Sequence, residues 1–155
     1  VAEKVGAIAT QLMNSLGVVG IFGIELFLTS SGDVLINEIA PRTHNSGHYT
    51  LDACKTSQFE QQLRAVSNRA LGASALTCTG AVMVNLLGTK AETSDYIEVR
   101  AALADIENAH VYWYGKREAR PGRKLGHVTV LTDSCSDDAA VDALIQKIEK
   151  IWYGA

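Results

Sequence analysis

Two glutamates, an arginine and two histidines fall between Ile21 and His48, a stretch patterned as one β-hairpin and the loop that follows it. Apolar runs at Ile21 to Leu28 and Val34 to Ile39 are rich in β-branched and aromatic residues, and the turn formers Thr29-Ser30-Ser31-Gly32-Asp33 separate them. A turn centred between Ser31 and Gly32 gives cross-strand partners a constant sum and sets Glu25 opposite Glu38. Like charges opposed across two strands repel, so the pair calls for a cation or for a proton held by one carboxylate. Magnesium is the natural cation, because it is hard, takes oxygen ligands and is commonly held by one or two carboxylates together with substrate phosphates. The alternative is a solvated face on which Lys or Arg from elsewhere neutralises both glutamates. The flanking sequence favours the first reading: Gly20 and Gly23 leave side-chain-free positions beside Glu25, and Pro41 to His48 is a polar loop without core character.

A second cluster is cationic. Lys116, Arg117, Arg120, Arg123 and Lys124 are close together in a chain whose net charge is −3, and Pro121-Gly122 marks a turn among them. A loop of this kind can converge guanidinium forks and mobile ammonium groups on one phosphate; a solvated basic turn is the plainer alternative. His44 and His48 are four apart, yet Asn45-Ser46-Gly47 disfavours the helix that would align both rings, which argues against zinc. Hydrogen bonding to an anionic substrate is the better role for His44.

The elements that must position these groups follow from periodicity. Val5, Ile8, Ala9, Leu12, Met13 and Leu16 have helical spacing, with Gly17 as a left-handed cap. A regular second strand would point Asn37 away from the two glutamates. A second helix is predicted over about 57 to 71, opened by a capping box at Ser57 and Glu60, buried through Phe59, Leu63, Val66 and Ala70, and ended by Gly72. Beyond it, strands are predicted over Ala81 to Leu87, Ala109 to Tyr114 and Gly126 to Thr132, with a short helix at Ala101 to Ile106. The last helix opens at Ser136-Asp137-Asp138 and carries an apolar face of Val141, Leu144, Ile145, Ile148, Ile151 and Trp152.

Composition narrows the classes. A hydrophobic content of 47% is ordinary for a globular core, and a net charge of −3 argues against general affinity for nucleic acid or membranes. No apolar run reaches the roughly twenty residues of a membrane span, and Val1-Ala2-Glu3-Lys4 lacks the features of a signal peptide, so the expected setting is cytoplasmic. Cys54, Cys78 and Cys135 are odd in number and widely spaced, which suggests free thiols rather than a disulfide framework or zinc site.

The ordered series closely resembles the ATP-grasp family of N5-carboxyaminoimidazole ribonucleotide synthetases. It runs from a Glu in one strand through Ile36-Asn37-Glu38-Ile39-Ala40-Pro41-Arg42 and Thr43-His44-Asn45-Ser46-Gly47-His48 to Ser57-Gln58-Phe59-Glu60. It continues through Val84-Asn85-Leu86-Leu87-Gly88, Trp113-Tyr114-Gly115-Lys116 and Arg120-Pro121-Gly122-Arg123-Lys124-Leu125-Gly126-His127. The resemblance implies an α+β chain: the C-terminal part of an ATP-grasp domain over residues 1–79, mostly antiparallel sheet with flanking helices, then a small α/β C-terminal domain over residues 80–155. It also implies ATP and magnesium as cofactors, with bicarbonate phosphorylated to carboxyphosphate and the carboxyl group passed to the amine of 5-aminoimidazole ribonucleotide.

Under that resemblance Glu25 and Glu38 hold the metal, Arg42 and His44 face bicarbonate with Asn45 and Ser46 nearby, and Lys116, Arg123 and Lys124 hold the ribonucleotide. Many ATP-grasp enzymes carry an Asn metal ligand two residues after the second glutamate, where this chain has Ala40. The parts of the superfamily that cover the nucleotide have no counterpart in this sequence, so the chain reads as a fragment expected not to turn over alone. A homodimer is compatible with the resemblance, although the sequence fixes no oligomeric state. Two other readings stand beside it: the related formate-dependent glycinamide ribonucleotide transformylase, and a non-catalytic module that binds anions or serves assembly.

Overall fold

The structure, a computed structural model, describes residues 1–133 and 135–154. It divides into two compact units, one of Val1–Leu51 with Lys55–Ala75 and one of Asp52–Cys54 with the chain from Leu76 onward. Helices and antiparallel sheets in both bear out the α+β expectation. Among the described residues no helix is long and apolar enough to cross a membrane.

The first unit opens with helix α1 (Ala2–Leu16), which stops at Gly17, whose φ of 59° permits the left-handed cap. Strands β1 (Gly23–Leu28) and β2 (Val34–Ala40) form the hairpin, closed by the Thr29 N–H donating to Asp33 O at 2.9 Å. Glu25 pairs with Glu38 as the turn position requires. One step later the register slips, Leu26 pairs with Ile36, and Asn37 becomes the extra residue of a bulge. A short 3-10 turn at Asn45–Gly47 leads into α2 (Thr50–Ala53) and then α3 (Gln58–Val66).

Helix α3 departs from expectation in three ways. It ends at Ser67 rather than Gly72, because Asn68 takes a left-handed φ of 54° and the Ser67 hydroxyl donates to Leu63 O. Its capping box is half formed: Ser57 Oγ accepts the Glu60 N–H, while the Glu60 carboxylate pairs with Arg64 at 2.6 Å instead of reaching back. Its polarity is also inverted. Leu63 and Val66 are 67% and 57% exposed, whereas Gln58 and Gln61 are buried. The glutamines are inside because each binds loop backbone that would otherwise lie unsatisfied.

The second unit contains β3 (Gly80–Leu87), β4 (Glu92–Thr93), α4 (Ile97–Ala104), β5 (Ala109–Trp113), β6 (Glu118–Ala119), β7 (Lys124–Thr132) and α5 (Asp138–Tyr153). Helix α4 lies earlier than the Ala101 to Ile106 expected. It opens at Tyr96, whose left-handed φ of 52° accompanies a stack on Trp152 and a hydroxyl hydrogen bond to Glu92. The sheet order is β3-β7-β5, all antiparallel, so β7 is central. Val128 and Val130 join Leu86, Leu103, Ile106, Ile148 and Trp152 in the apolar core. Alternation turns His127 and Thr129 to the other face, where they are also buried.

That second face carries a polar layer. Tyr112 stacks on His127 with centroids 4.7 Å apart and donates to Asp52 Oδ1 at 2.7 Å, and His110 Nδ1 lies 3.3 Å from the same oxygen. Burial first, and then donation to a carboxylate, pushes the Tyr112 phenol up to about 12, and the same causes push Tyr96 to about 12. A phenol ionising near 10 in the unfolded chain and near 12 in the folded one contributes stability that is fully present below pH ~10. That contribution is lost as pH rises through ~12. Urea midpoints measured across this window are expected to fall with pH, and to fall less steeply in Tyr112→Phe; an unchanged slope would contradict the burial.

Candidate functional site

The first cluster is assembled by the hairpin and the loop after β2. Glu25 and Glu38 are exposed cross-strand partners. The bulge brings a third group to them: Asn37 Nδ2 donates to Glu25 Oε2 at 3.3 Å. Asn37 was expected on the opposite face, and the correction follows from the irregular register, since a bulge places two residues against one and breaks strict alternation.

His44 approaches from the loop. Its Nε2 lies 3.6 Å from Glu25 Oε1, while its Nδ1 accepts the Ser46 N–H and lies 2.9 Å from Ser46 Oγ. A fixed backbone donor on Nδ1 makes that nitrogen the acceptor and leaves the proton of the neutral ring on Nε2, aimed at the carboxylate. Gly23 makes the room, because a Cβ there would lie 2.6 Å from His44 Cβ and 2.8 Å from Cγ. Arg42 is exposed and donates to Thr43 O at 3.0 Å. Asn45 and Ser46 lie in the 3-10 turn that follows.

Underneath this loop sits Gln58. Its Oε1 accepts the His44 N–H at 2.9 Å, and its Nε2 donates to His44 O at 2.8 Å and to His48 Nδ1 at 2.8 Å. Thr50 Oγ1 accepts the Gln58 N–H and donates to Gly47 O. The sequence marked Gln58 as part of a helix start and of the series that carries the resemblance, with no role of its own.

The second cluster belongs to the other unit and lies in the connection from β5 to β7, as expected. Arg120-Pro121-Gly122-Arg123 forms a turn closed by the Arg123 N–H on Arg120 O at 3.0 Å, with Gly122 at φ 76°. It is pinned to Gly88, which exchanges bonds with Gly122 N and Arg123 O, and a Cβ at Gly88 would lie 2.6 Å from Arg120 O. Lys116 Nζ donates to Lys124 O at 2.6 Å and lies 5.5 Å above the Tyr114 ring. Arg123 donates to Glu118 O at 2.8 Å, and Arg120 and Arg123 line a groove with Glu92 and Glu118. The fold thus places Lys116 and Arg123 on the β5–β7 connection and Lys124 at the first position of β7.

Among the described residues no three His, Cys, Asp or Glu side chains converge as a complete metal cage. Two opposed carboxylates with an amide beside them nevertheless suit magnesium, which keeps several waters and completes its shell with phosphate oxygens.

Comparison with known proteins assigns the lineage. Residues 1–59 match the ATP-grasp domain model, and residues 81–140 match the phosphoribosylaminoimidazole carboxylase C-terminal domain. The N5-carboxyaminoimidazole ribonucleotide synthase of Synechococcus elongatus is 54% identical over 154 residues, covering 97% of this chain and 38% of that protein. The chain belongs to the N5-carboxyaminoimidazole ribonucleotide synthetase family. Among solved synthetases, that of Thermotoga maritima is 48% identical with a TM-score of 0.74, covering 92% of this chain and 40% of that one. The Aspergillus clavatus enzyme, solved with ADP and 5-aminoimidazole ribonucleotide, is 33% identical with a TM-score of 0.73, covering 84% and 35%. The chain therefore spans about two fifths of the length of the synthetases it matches.

The space at Gly23 gives a direct test. Gly23→Ala forces the His44 ring away from Glu25 or bends β1, an overpacking cost of about 1–3 kcal/mol. Urea denaturation is expected to show that loss, and histidine ring signals to show a displaced His44. An Ala variant as stable as the parent, with unchanged ring signals, would mean that the contact does not constrain the loop.

Proposed function

We propose that this chain serves ATP-dependent carboxylation of 5-aminoimidazole ribonucleotide in purine biosynthesis, supplying the metal carboxylates, the bicarbonate loop and the ribonucleotide-phosphate loop. The observation that carries the reading is the pairing of Glu25 with Glu38 in a hairpin where His44 Nε2 faces Glu25 at 3.6 Å. In the proposed reaction a bicarbonate oxygen attacks the γ-phosphorus of ATP, the bond to the ADP oxygen breaks, and carboxyphosphate forms. The ribonucleotide amine then attacks the carboxyl carbon, phosphate leaves, and the amine loses a proton to give N5-carboxyaminoimidazole ribonucleotide.

Three anions must meet for this to happen, and the chain's own residues lower that repulsion. Glu25 and Glu38 would hold magnesium, which when bound neutralises nucleotide phosphate charge. The Arg42 guanidinium and the His44 Nε2–H donate to bicarbonate and then to carboxyphosphate, with Asn45 and Ser46 fixing its orientation. Lys116, Arg123 and Lys124 take the ribonucleotide phosphate. These are the reactions of a cytoplasmic biosynthetic ligase, and a homodimer is compatible with them. Paired glutamates and a basic loop would equally suit the formate-dependent transformylase, but the identities within the synthetase family favour the carboxylating reading.

The test is a chimera in which this chain replaces the matching segment of the Synechococcus elongatus synthase. Ribonucleotide- and bicarbonate-dependent ADP release is expected. Removing one charge-assisted contact costs roughly 1.5–3 kcal/mol, about ten- to a hundredfold. Arg123→Ala is therefore expected to raise KM for the ribonucleotide by that factor with KM for ATP unchanged, and Glu38→Gln to depress ATP turnover. A folded chimera with no turnover, or an Arg123→Ala variant with unaltered ribonucleotide KM, would overturn the assignment.

A further inference from the structure

Helix α3 presents three glutamines to loop backbone, and they do different things. Gln62 Oε1 accepts the Ile21 N–H at 2.5 Å. Gln61, buried, closes a two-bond ring with Gly72, donating to its carbonyl at 2.6 Å and accepting its N–H at 2.9 Å. Gln58, equally buried, closes the same kind of ring with His44. A buried primary amide is costly unless all its hydrogen-bonding groups are used, and the carbonyl and amino group of Gln58 are all engaged within this one loop.

The Gln58 ring has consequences that the Gln61 ring lacks. His44 is extended, with φ −123° and ψ 153°, so its N–H and C=O face the Gln58 amide as they would face a neighbouring strand. Because the His44 N–H fixes which end of the amide is the oxygen, Nε2 must be the donor toward His48. His48 Nδ1 is then an acceptor, and the neutral ring carries its proton on Nε2. One side chain thereby sets the backbone of His44 and the tautomer of His48. Gly47 is part of the fit, since a Cβ there would lie 2.6 Å from Gln58 Oε1.

We propose that Gln58 is the positioning residue of the bicarbonate loop, holding His44 in the extended conformation that aims its Nε2–H and fixing His48 in its Nε2-protonated form. This rests on the carboxylation reading above for the identity of the anion, and not for the hydrogen bonds. Gln58 touches no reacting atom; it acts through the two histidines. Its removal should therefore weaken the use of bicarbonate while leaving the ribonucleotide site, built on the β5–β7 connection, unaffected.

Two measurements separate the parts. In the 155-residue chain labelled with 15N, the wild type is expected to show an unprotonated His48 Nδ1 and a His44 amide protected from hydrogen exchange. Both features are expected to be lost in Gln58→Leu and in Gly47→Ala, which displaces the amide without altering its chemistry, and kept in Gln61→Leu. In the chimera, Gln58→Leu is expected to lower kcat/KM for bicarbonate at least tenfold with ribonucleotide KM within twofold. Gln61→Leu, which removes an equivalent buried clamp, should lose comparable urea stability with both constants within twofold.

The proposal is overturned if His48 Nδ1 is protonated in the wild type, or if Gln58→Leu and Gln61→Leu have the same kinetic effect. A wild-type chimera that folds without turnover sinks the carboxylation reading and the kinetic half with it, and the histidine signals then decide by themselves whether Gln58 sets the loop.

Discussion

Two carboxylates opposed across a two-stranded sheet are a liability in any hairpin, and the arrangement of the first unit is organised around that repulsion. Both glutamates stay in water, where the effective dielectric is high and the cost of the pairing is small. Glu25 in addition receives an amide donor from Asn37 and faces the proton-bearing nitrogen of His44. The Asn37 amide is a neutral donor, so it leaves the negative charge of the pair in place. That is the state a divalent cation would find most favourable, and a basic side chain in the same position would have cancelled it.

Holding the donors in place requires loop backbone to be buried, and buried N–H and C=O groups need partners. Helix α3 supplies them with glutamine side chains, giving a helix whose polar residues face inward while Leu63 and Val66 face outward. Through these glutamines the helix acts as a splint for loops. Gly23 and Gly47 complete the scheme from the opposite direction: each removes a Cβ that would occupy the space of His44 or of the Gln58 amide.

The sequence was informative where local rules act alone. Turn residues at 29–33 and alternating apolar runs determine the hairpin and the pairing of Glu25 with Glu38, and Gly17 and Asp137 end and begin helices as their chemistry requires. It was uninformative where tertiary partners override pattern. The bulge that turns Asn37 toward Glu25 leaves no trace in composition, because any residue can occupy it. The apolar spacing of Phe59, Leu63 and Val66 suggested a buried stripe, although the buried residues of the helix are Gln58 and Gln61. Helix α4 begins four residues earlier than its apolar pattern because a tyrosine, not a glycine, adopts the left-handed conformation at its start. The cationic residues could be located on a turn, but the role of Gly88 in pinning that turn depends on a residue more than thirty positions away.

The central position of β7 has a consequence for how the second unit is made. Among the described residues strand β3 has a single neighbour in its sheet, and that neighbour, β7, follows it only after β4, α4, β5 and β6. Until Lys124–Thr132 has been synthesised, the apolar face of β3, with Val82, Val84 and Leu86, has no ladder to join. β5 can meet β7 across a short connection, whereas β3 must wait for a chain closure spanning the intervening helix and both small strands. Between the synthesis of β3 and that of β7 the edge of β3 is therefore unpaired, and an unpaired, β-prone edge is the feature through which incomplete chains aggregate.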